Sequence, residues 1–254
     1  MFRVTALLMT MLVFISCGST NKNMSASEFL PRKGYIFVKK TVNLKKCLIS
    51  EETGEPQCME GEFISVGSGF VVDIAYGGSY VMTAAHVCMQ DRNDLLPEVE
   101  MNVVLQAETL DGRTFEAKTL DYNREMDICM MFVQDLFSDV QKVEIAESAP
   151  KEGDKVFNIA SPYGIHYPNV VPIFEGRYIG KRGHKSFYTF EAAPGSSGSM
   201  ILNSEGKLIG LLHSVHRRLY TVVVSANYGD LKGFITKAIT MHQRLLQPTS
   251  TYEW

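Results

Sequence analysis

Residues 192–200 read AAPGSSGSM, a run of small residues that sets Ser197 among glycines at the end of an extended segment. A hydroxyl on so tight a turn is exposed to attack a carbonyl, and the flanking backbone N–H groups can point where negative charge then develops. Ser197 is therefore the candidate nucleophile, and the N–H groups of Gly195 and Ser197 are the candidate oxyanion donors. A glycine-serine tract taken alone is usually a flexible turn, so the reading depends on what lies upstream.

Two upstream segments supply the rest of such a site. Residues 81–87, VMTAAHV, carry a β-rich run through small residues into His86, with GSGFVV just before it at 67–72. A lone histidine after an apolar run is commonly structural; paired with a serine it is the candidate general base. Residues 125–133, EMDICMMFV, open an apolar strand with Asp127. Alone, that aspartate reads as a strand-start side chain accepting backbone hydrogen bonds; with the other two it is the candidate orienting carboxylate. His, Asp, Ser is one of several chain orders in which this constellation has arisen. His86 would take the Ser197 proton and return it to the leaving group, which an ordinary imidazole pKa of ~6.5 permits near neutrality. Asp127 would fix the tautomer and stabilise the imidazolium.

On these motifs the chain resembles the trypsin-like (chymotrypsin-fold) serine peptidases, closest in style to bacterial HtrA-like and glutamyl-endopeptidase-like members. TAAH at 83–86, GSGF at 67–70, the pair Asp127-Ile128, and GSSGS at 195–199 followed by GKLIGLL at 206–212 carry the resemblance, which covers residues 34–246. It implies an all-β fold of two six-stranded Greek-key β-barrels with a C-terminal α-helix. It also implies endopeptidase chemistry on a protein or peptide substrate through an acyl-enzyme, with no cofactor and no metal. A catalytically silent peptide- or protein-binding module on the same fold is the alternative. Ser196 stands where digestive members carry an aspartate that pairs with a freshly cleaved amino terminus, so that zymogen switch is not expected. Gly198, Ser199 and Met200 replace the GGP of many relatives.

Specificity has competing readings. Counting back from Ser197 without gaps puts Glu191 at the base of the pocket where trypsin-like relatives read a basic side chain; an exposed strand-end Glu191 is the other reading. His213 resembles the histidine of glutamate- and glutamine-specific relatives but is displaced by one position, and a one-residue shift turns a strand side chain to the opposite face. Leu212 is then the pocket-wall candidate, and His213 falls beside the catalytic aspartate. Residues 212–215, Ser214 among them, form the edge against which an extended substrate adds.

Composition agrees. With 254 residues, 45% hydrophobic and 21% charged, the chain is long enough for one two-barrel domain after a leader is removed. The net charge is −3, and pairs such as Lys39/Lys40, Lys45/Lys46 and Arg217/Arg218 are scattered rather than striped, which argues against nucleic acid as a partner. Arg3 precedes an apolar stretch at 4–15 that is too short to span a bilayer and has the layout of a secretory leader. Phe14, Ile15, Ser16 and Cys17 resemble a bacterial lipobox. Lipidation of Cys17 and membrane attachment facing the periplasm or cell surface are expected, with plain export as the alternative. The polar stretch 18–28 reads as a tether.

The expected organisation is a signal peptide at 1–16, a tether at 17–33, barrels at 34–137 and 155–229 joined by a linker at 138–154, a helix at 230–247 and a tail at 248–254. Strand-like runs are read at 35–38, 63–72, 80–82, 103–107, 114–119 and 128–133, then at 155–160, 170–180, 187–191, 200–202, 207–213 and 220–226. Turn pairs Gly77-Gly78, Asp111-Gly112 and Glu205-Gly206 mark hairpins. Asp230 is the expected cap of a helix whose apolar residues, from Leu231 to Leu246, recur at three- and four-residue intervals. Four cysteines besides Cys17 suit an oxidising compartment. A Cys47–Cys58 bridge would close the loop between them. Cys88 and Cys129 each follow a triad candidate by two residues, and the implied fold brings them together either as a bridge or as two buried thiols. No HExxH or CxxC spacing suggests a metal.

Overall fold

The computed structural model describes residues 29–50, 55–89, 99–216 and 218–246. The leader, Cys17, the tether up to residue 28 and the tail from 248 lie outside the described residues. The first half contains β1 (Tyr35–Ile49), β2 (Pro56–Ala75), β3 (Gly78–Thr83), a single helical turn α1 (Ala85–Cys88), β4 (Val99–Thr109), β5 (Thr114–Asn123) and β6 (Ile128–Gln134). The second contains β7 (Lys155–Ile159), β8 (Ile173–Arg182), β9 (Lys185–Thr189), β10 (Met200–Leu202), β11 (Leu208–His216), β12 (Leu219–Ala226) and helix α2 (Tyr228–Leu246). Each set closes into a six-stranded barrel, in the orders β1-β2-β3-β6-β5-β4 and β10-β11-β12-β9-β8-β7. Full closure leaves neither barrel with an open sheet edge around its core.

Short, almost wholly buried strand segments build the interiors. Tyr35, Phe70, Met82, Leu105 and Ile128 are fully buried in the first barrel, and Ile201, Tyr188 and Val223 in the second. Each such side chain contributes roughly 1.5–3 kcal/mol relative to leaving it in water. The core continues without a break through Leu208 and Leu211 to Leu231, Phe234 and Ile235 of α2, so the helix stripe is core-facing. The segment between the barrels lies along both: the Val143 N–H bonds to Val71 O at 2.8 Å, and the Ala146 N–H to Leu208 O at 3.0 Å.

Two sequence expectations change and one open alternative is decided. β1 and β2 run far past 35–38 and 63–72 as a paired ribbon, in register from Tyr35↔Phe70 to Ile49↔Pro56. The far part of the ribbon has no buried face, so main-chain pairing and the Cys47–Cys58 bridge hold it. The helix begins at Tyr228 rather than at 230, and its cap is Asn227, whose Oδ1 accepts the Asp230 N–H at 3.0 Å. Asp230 returns the contact by accepting from Asn227 Nδ2 at 2.6 Å, so the two form a reciprocal cap. Cys88 and Cys129, left open between a bridge and free thiols, are disulfide-bonded.

Candidate active site

The cleft between the barrels is made by a few backbone contacts of unusual closeness. Ser68, on β2, donates its N–H to Ser197 O at 2.8 Å, and its hydroxyl donates to Gly195 O at 2.9 Å. Thr83 Oγ1 in turn donates to Ser68 O at 2.8 Å. A Cβ at Gly198, where φ is +87°, would overlap both Ser68 O and Thr83 Oγ1, so only glycine lets the Ser197 turn seat against the strand end that leads into His86. That interlock is the physical content of the GSGF, TAAH and GSSGS motifs.

His86 sits on α1, four residues long, entered through the fully buried Ala84 and Ala85. Lys40 Nζ donates to His86 O at 2.9 Å and Met89 O at 3.4 Å, covering carbonyls at the end of the turn. Asp127 occupies the left-handed region at φ +51°, a conformation aspartate tolerates better than most side chains. This tight turn before β6 aims the carboxylate across to α1. Oδ1 accepts the His86 main-chain N–H at 3.0 Å and Oδ2 meets Nδ1 at 2.8 Å. Burial alone would raise the Asp127 carboxyl, but the hydrogen bonds from His86 and its charge, aided by His213, hold it below the usual carboxylate value. The His86 ring remains about half exposed, at 47%.

The turn before Ser197 is a type II turn in its residues and bonding. Pro194 and Gly195 are its central pair, Gly195 has φ +98°, and the Ser196 N–H returns to Ala193 O at 2.9 Å. The Pro194 carbonyl is taken up by the Tyr163 N–H at 2.6 Å. A trans peptide directs its N–H opposite to its carbonyl, so the Gly195 N–H points away from Tyr163. Among the described residues, neither that N–H, nor the Ser197 N–H, nor the Ser197 hydroxyl has a hydrogen-bond partner. Catalytic hydrogen bonds commonly tighten only with substrate in place.

Beside Ser197 opens a cavity of about 630 Å³ walled by Tyr163, Ala192, Ala193, Leu212, Ser214 and Val215. Glu191 is exposed and does not line it; it lies just past the end of β9, where Phe190 is buried and Glu191 is in solvent. Leu212 and Ser214 both face the cavity, and His213 does not. β11 carries a bulge here, with Leu212 opposite Ser225 but Ser214 opposite Val224, so His213 is the extra residue. It points instead to Asp127, its Nδ1 3.9 Å from Oδ2. Burial holds the His213 imidazole down at about 4, against the pull of Asp127. Sequence reasoning passed over Ser68, legible within GSGF, and Tyr163, whose part is played by a backbone N–H that no side-chain pattern reports. Among the described residues no cluster of His, Cys, Asp and Glu could hold a metal ion.

Comparison with known proteins bears on the fold and the family. The profile of the trypsin-like peptidase domain matches residues 67–211. The periplasmic serine endoprotease DegP of Salmonella typhimurium is 28% identical over 156 residues, 59% of this chain and 30% of that protein. The periplasmic pH-dependent serine endoprotease DegQ of Escherichia coli is 27% identical over 155 residues, 59% of this chain and 31% of its own. The chain thus spans about a third of the length of these relatives. Among solved structures, the serine endoprotease of Yersinia pestis superposes with a TM-score of 0.58 at 16% identity, covering 84% of this chain and 65% of its own. A protease of Mycobacterium tuberculosis in its active form gives 0.57 at 16% identity, covering 82% of each chain. At that identity the superpositions speak for the fold.

Proposed function

Because the chain belongs to the trypsin-like peptidase family, we propose that it is an exported serine endopeptidase using Ser197, His86 and Asp127 as its triad. The observation that carries this reading is the two-point hold of Asp127 on His86, 3.0 Å to the backbone N–H and 2.8 Å to Nδ1, beside a glycine-bounded Ser197 turn. Ser197 Oγ attacks the substrate carbonyl carbon as His86 Nε2 takes its proton. Asp127 holds the other imidazole proton on Nδ1 and balances the imidazolium without itself being protonated. The N–H groups of Gly195 and Ser197 receive the oxyanion, and each such donor is worth about 3 kcal/mol in the transition state. Collapse sends the His86 proton to the departing amine and leaves an ester on Ser197. Water, deprotonated by His86, then releases the acid and restores the hydroxyl.

The side chain before the scissile bond enters the cavity walled by Ala192, Ala193, Leu212 and Val215. That lining carries no charge, so the substrate class is a polypeptide with an apolar residue at this position. Export rests on the leader-like residues 3–16 and on two disulfides, and the periplasmic location in the names of DegP and DegQ supports it. Cys17 is the proposed lipidation site that holds the enzyme at the membrane.

Fluorophosphonate labelling of the purified protein, with the modified peptide located by mass spectrometry, tests the assignment. Labelling at Ser197 that disappears in Ser197→Ala and His86→Ala supports it. A folded protein that does not label, yet binds peptides, would be the silent module instead.

A further inference from the structure

We propose that the Cys88–Cys129 disulfide is a positioning element of the active site, fixing His86 against Asp127, and not only a staple of the fold. Its activity readout rests on the peptidase reading above. Cys88 follows His86 by two residues and Cys129 follows Asp127 by two, so the bridge and the His86–Asp127 hydrogen bond join the same two segments, each across 41 residues of chain.

The two segments are unequally held. Cys129 lies inside the sheet, opposite Thr83 of β3 on one side and Tyr122 of β5 on the other. His86 rides on a four-residue helical turn whose N-cap, Ala84, supplies no side-chain hydrogen bond. A single turn has no stability of its own, because nucleation costs more than one turn of hydrogen bonds returns. The half-exposed imidazole adds little packing to compensate. Besides the hydrogen bonds to Asp127 Oδ1 and from Lys40 Nζ at its ends, the turn is held by what lies beneath it: Cys88, fully buried like Cys129, with its carbonyl bonded by Thr119 Oγ1 at 3.2 Å. The disulfide is the covalent tie from this weakly self-supporting turn to the rigid sheet. It is two residues from His86, the general base, and a misplacement of about 1 Å in a catalytic group can cost on the order of a hundredfold in rate.

The Cys47–Cys58 bridge is a built-in control. It joins directly opposed residues of the β1–β2 ribbon and touches neither His86 nor Asp127 in sequence. The experiment compares Cys88→Ala/Cys129→Ala with Cys47→Ala/Cys58→Ala, well below each melting temperature. The readouts are peptide hydrolysis and the low-field proton resonance of the His86 Nδ1–H. Removal of the Cys88–Cys129 bridge is expected to lower kcat about tenfold or more with KM within about threefold, and to broaden or shift the Nδ1 proton. The other pair is expected to leave both readouts as in the parent.

A folded Cys88→Ala/Cys129→Ala protein with parental kcat and an unchanged resonance overturns the proposal. So does an equal loss in the control pair. Should the alanine pair not fold, graded treatment of the native protein with dithiothreitol replaces it. Two electrons and two protons pass to the bridge, giving the Cys88 and Cys129 thiols, and dithiothreitol leaves as its cyclic disulfide. Free thiols are assigned by alkylation and mass spectrometry. Loss of kcat in step with the Cys88 and Cys129 thiols supports the role, and full kcat with both thiols formed overturns it. If the parent protein neither hydrolyses nor labels, it is the peptidase reading that fails. The Nδ1 resonance still decides whether the bridge positions His86.

Discussion

His213 Nδ1 lies 3.9 Å from Asp127 Oδ2, so the carboxylate that holds His86 from within the first barrel is faced by a second imidazole from the second. The contact exists because a bulge in β11 takes His213 out of the substrate-facing row that Leu212 and Ser214 keep. The Ser214 hydroxyl lies 3.0 Å from the same Nδ1. One atom of His213 therefore sits between a cavity-lining serine and the aspartate.

This histidine makes stability depend on pH with a definite sign. Its folded pKa is about 4 against an ordinary value of 6.5, so between those values the unfolded chain binds more protons and stability rises with pH. The contribution is fully present above 6.5 and is lost as the pH falls toward 4, by about 3 kcal/mol in all. Asp127, also held below its ordinary value of 3.8, continues the loss further into acid. Urea denaturation at pH 7.5 and pH 4.5 should show the parent losing stability and His213→Asn losing distinctly less. Parallel pH slopes would remove His213 from this account.

Asp127→Asn should leave the fold intact and lower kcat by about 10⁴-fold, since an amide that donates toward Nδ1 selects the wrong imidazole tautomer. Steady-state hydrolysis and circular dichroism on the same sample decide it. A decrease under tenfold would mean that Asp127 is not the orienting group.

Gly195→Ala tests the oxyanion turn independently of the triad. Gly195 holds φ +98°, and a Cβ there would overlap Ser161 O. Alanine must therefore turn the Pro194–Gly195 peptide or push away the residue 161–164 segment that anchors it. The expected result is a fall in kcat of about 10²–10³-fold with KM little changed and fluorophosphonate labelling slowed in proportion. Unchanged kcat would place the oxyanion elsewhere.

What could be read from the sequence divides along physical lines. The nucleophile turn and the segments around His86 and Asp127 were legible because close backbone approach demands small residues in fixed order, and such demands leave a linear trace. The barrel strands were legible where short apolar runs are buried along almost their whole length, as in β3 and β6. The β1–β2 ribbon was cut short because its Lys39 to Lys46 and Glu60 to Glu62 stretches have no buried face to signal a strand. The helix start was placed at Asp230 because a capping aspartate and a third-position aspartate look alike until Asn227 is seen to complete the pair. Tyr163 left no trace, for its N–H is positioned by a turn in which its own φ is +54°.

Specificity separates two readings of one stretch. If Glu191 read the substrate side chain, Glu191→Gln would abolish cleavage after Lys or Arg; but Glu191 is exposed and outside the cavity. Ala192, Ala193, Leu212 and Val215 surround the entering side chain with apolar surface. Each buried methylene of a matching residue is worth about 0.8 kcal/mol there, and an unpaired charge is strongly disfavoured. A peptide library should therefore return medium-sized apolar residues before the scissile bond, and Glu191→Gln should leave that profile unchanged within about twofold. Val215→Phe narrows the cavity and should shift the preference toward alanine, with kcat/KM for larger aliphatic residues falling by about 10–200-fold, the range that a single methylene commands in such a pocket. A library profile led by Lys or Arg, and erased by Glu191→Gln, would return the pocket to Glu191.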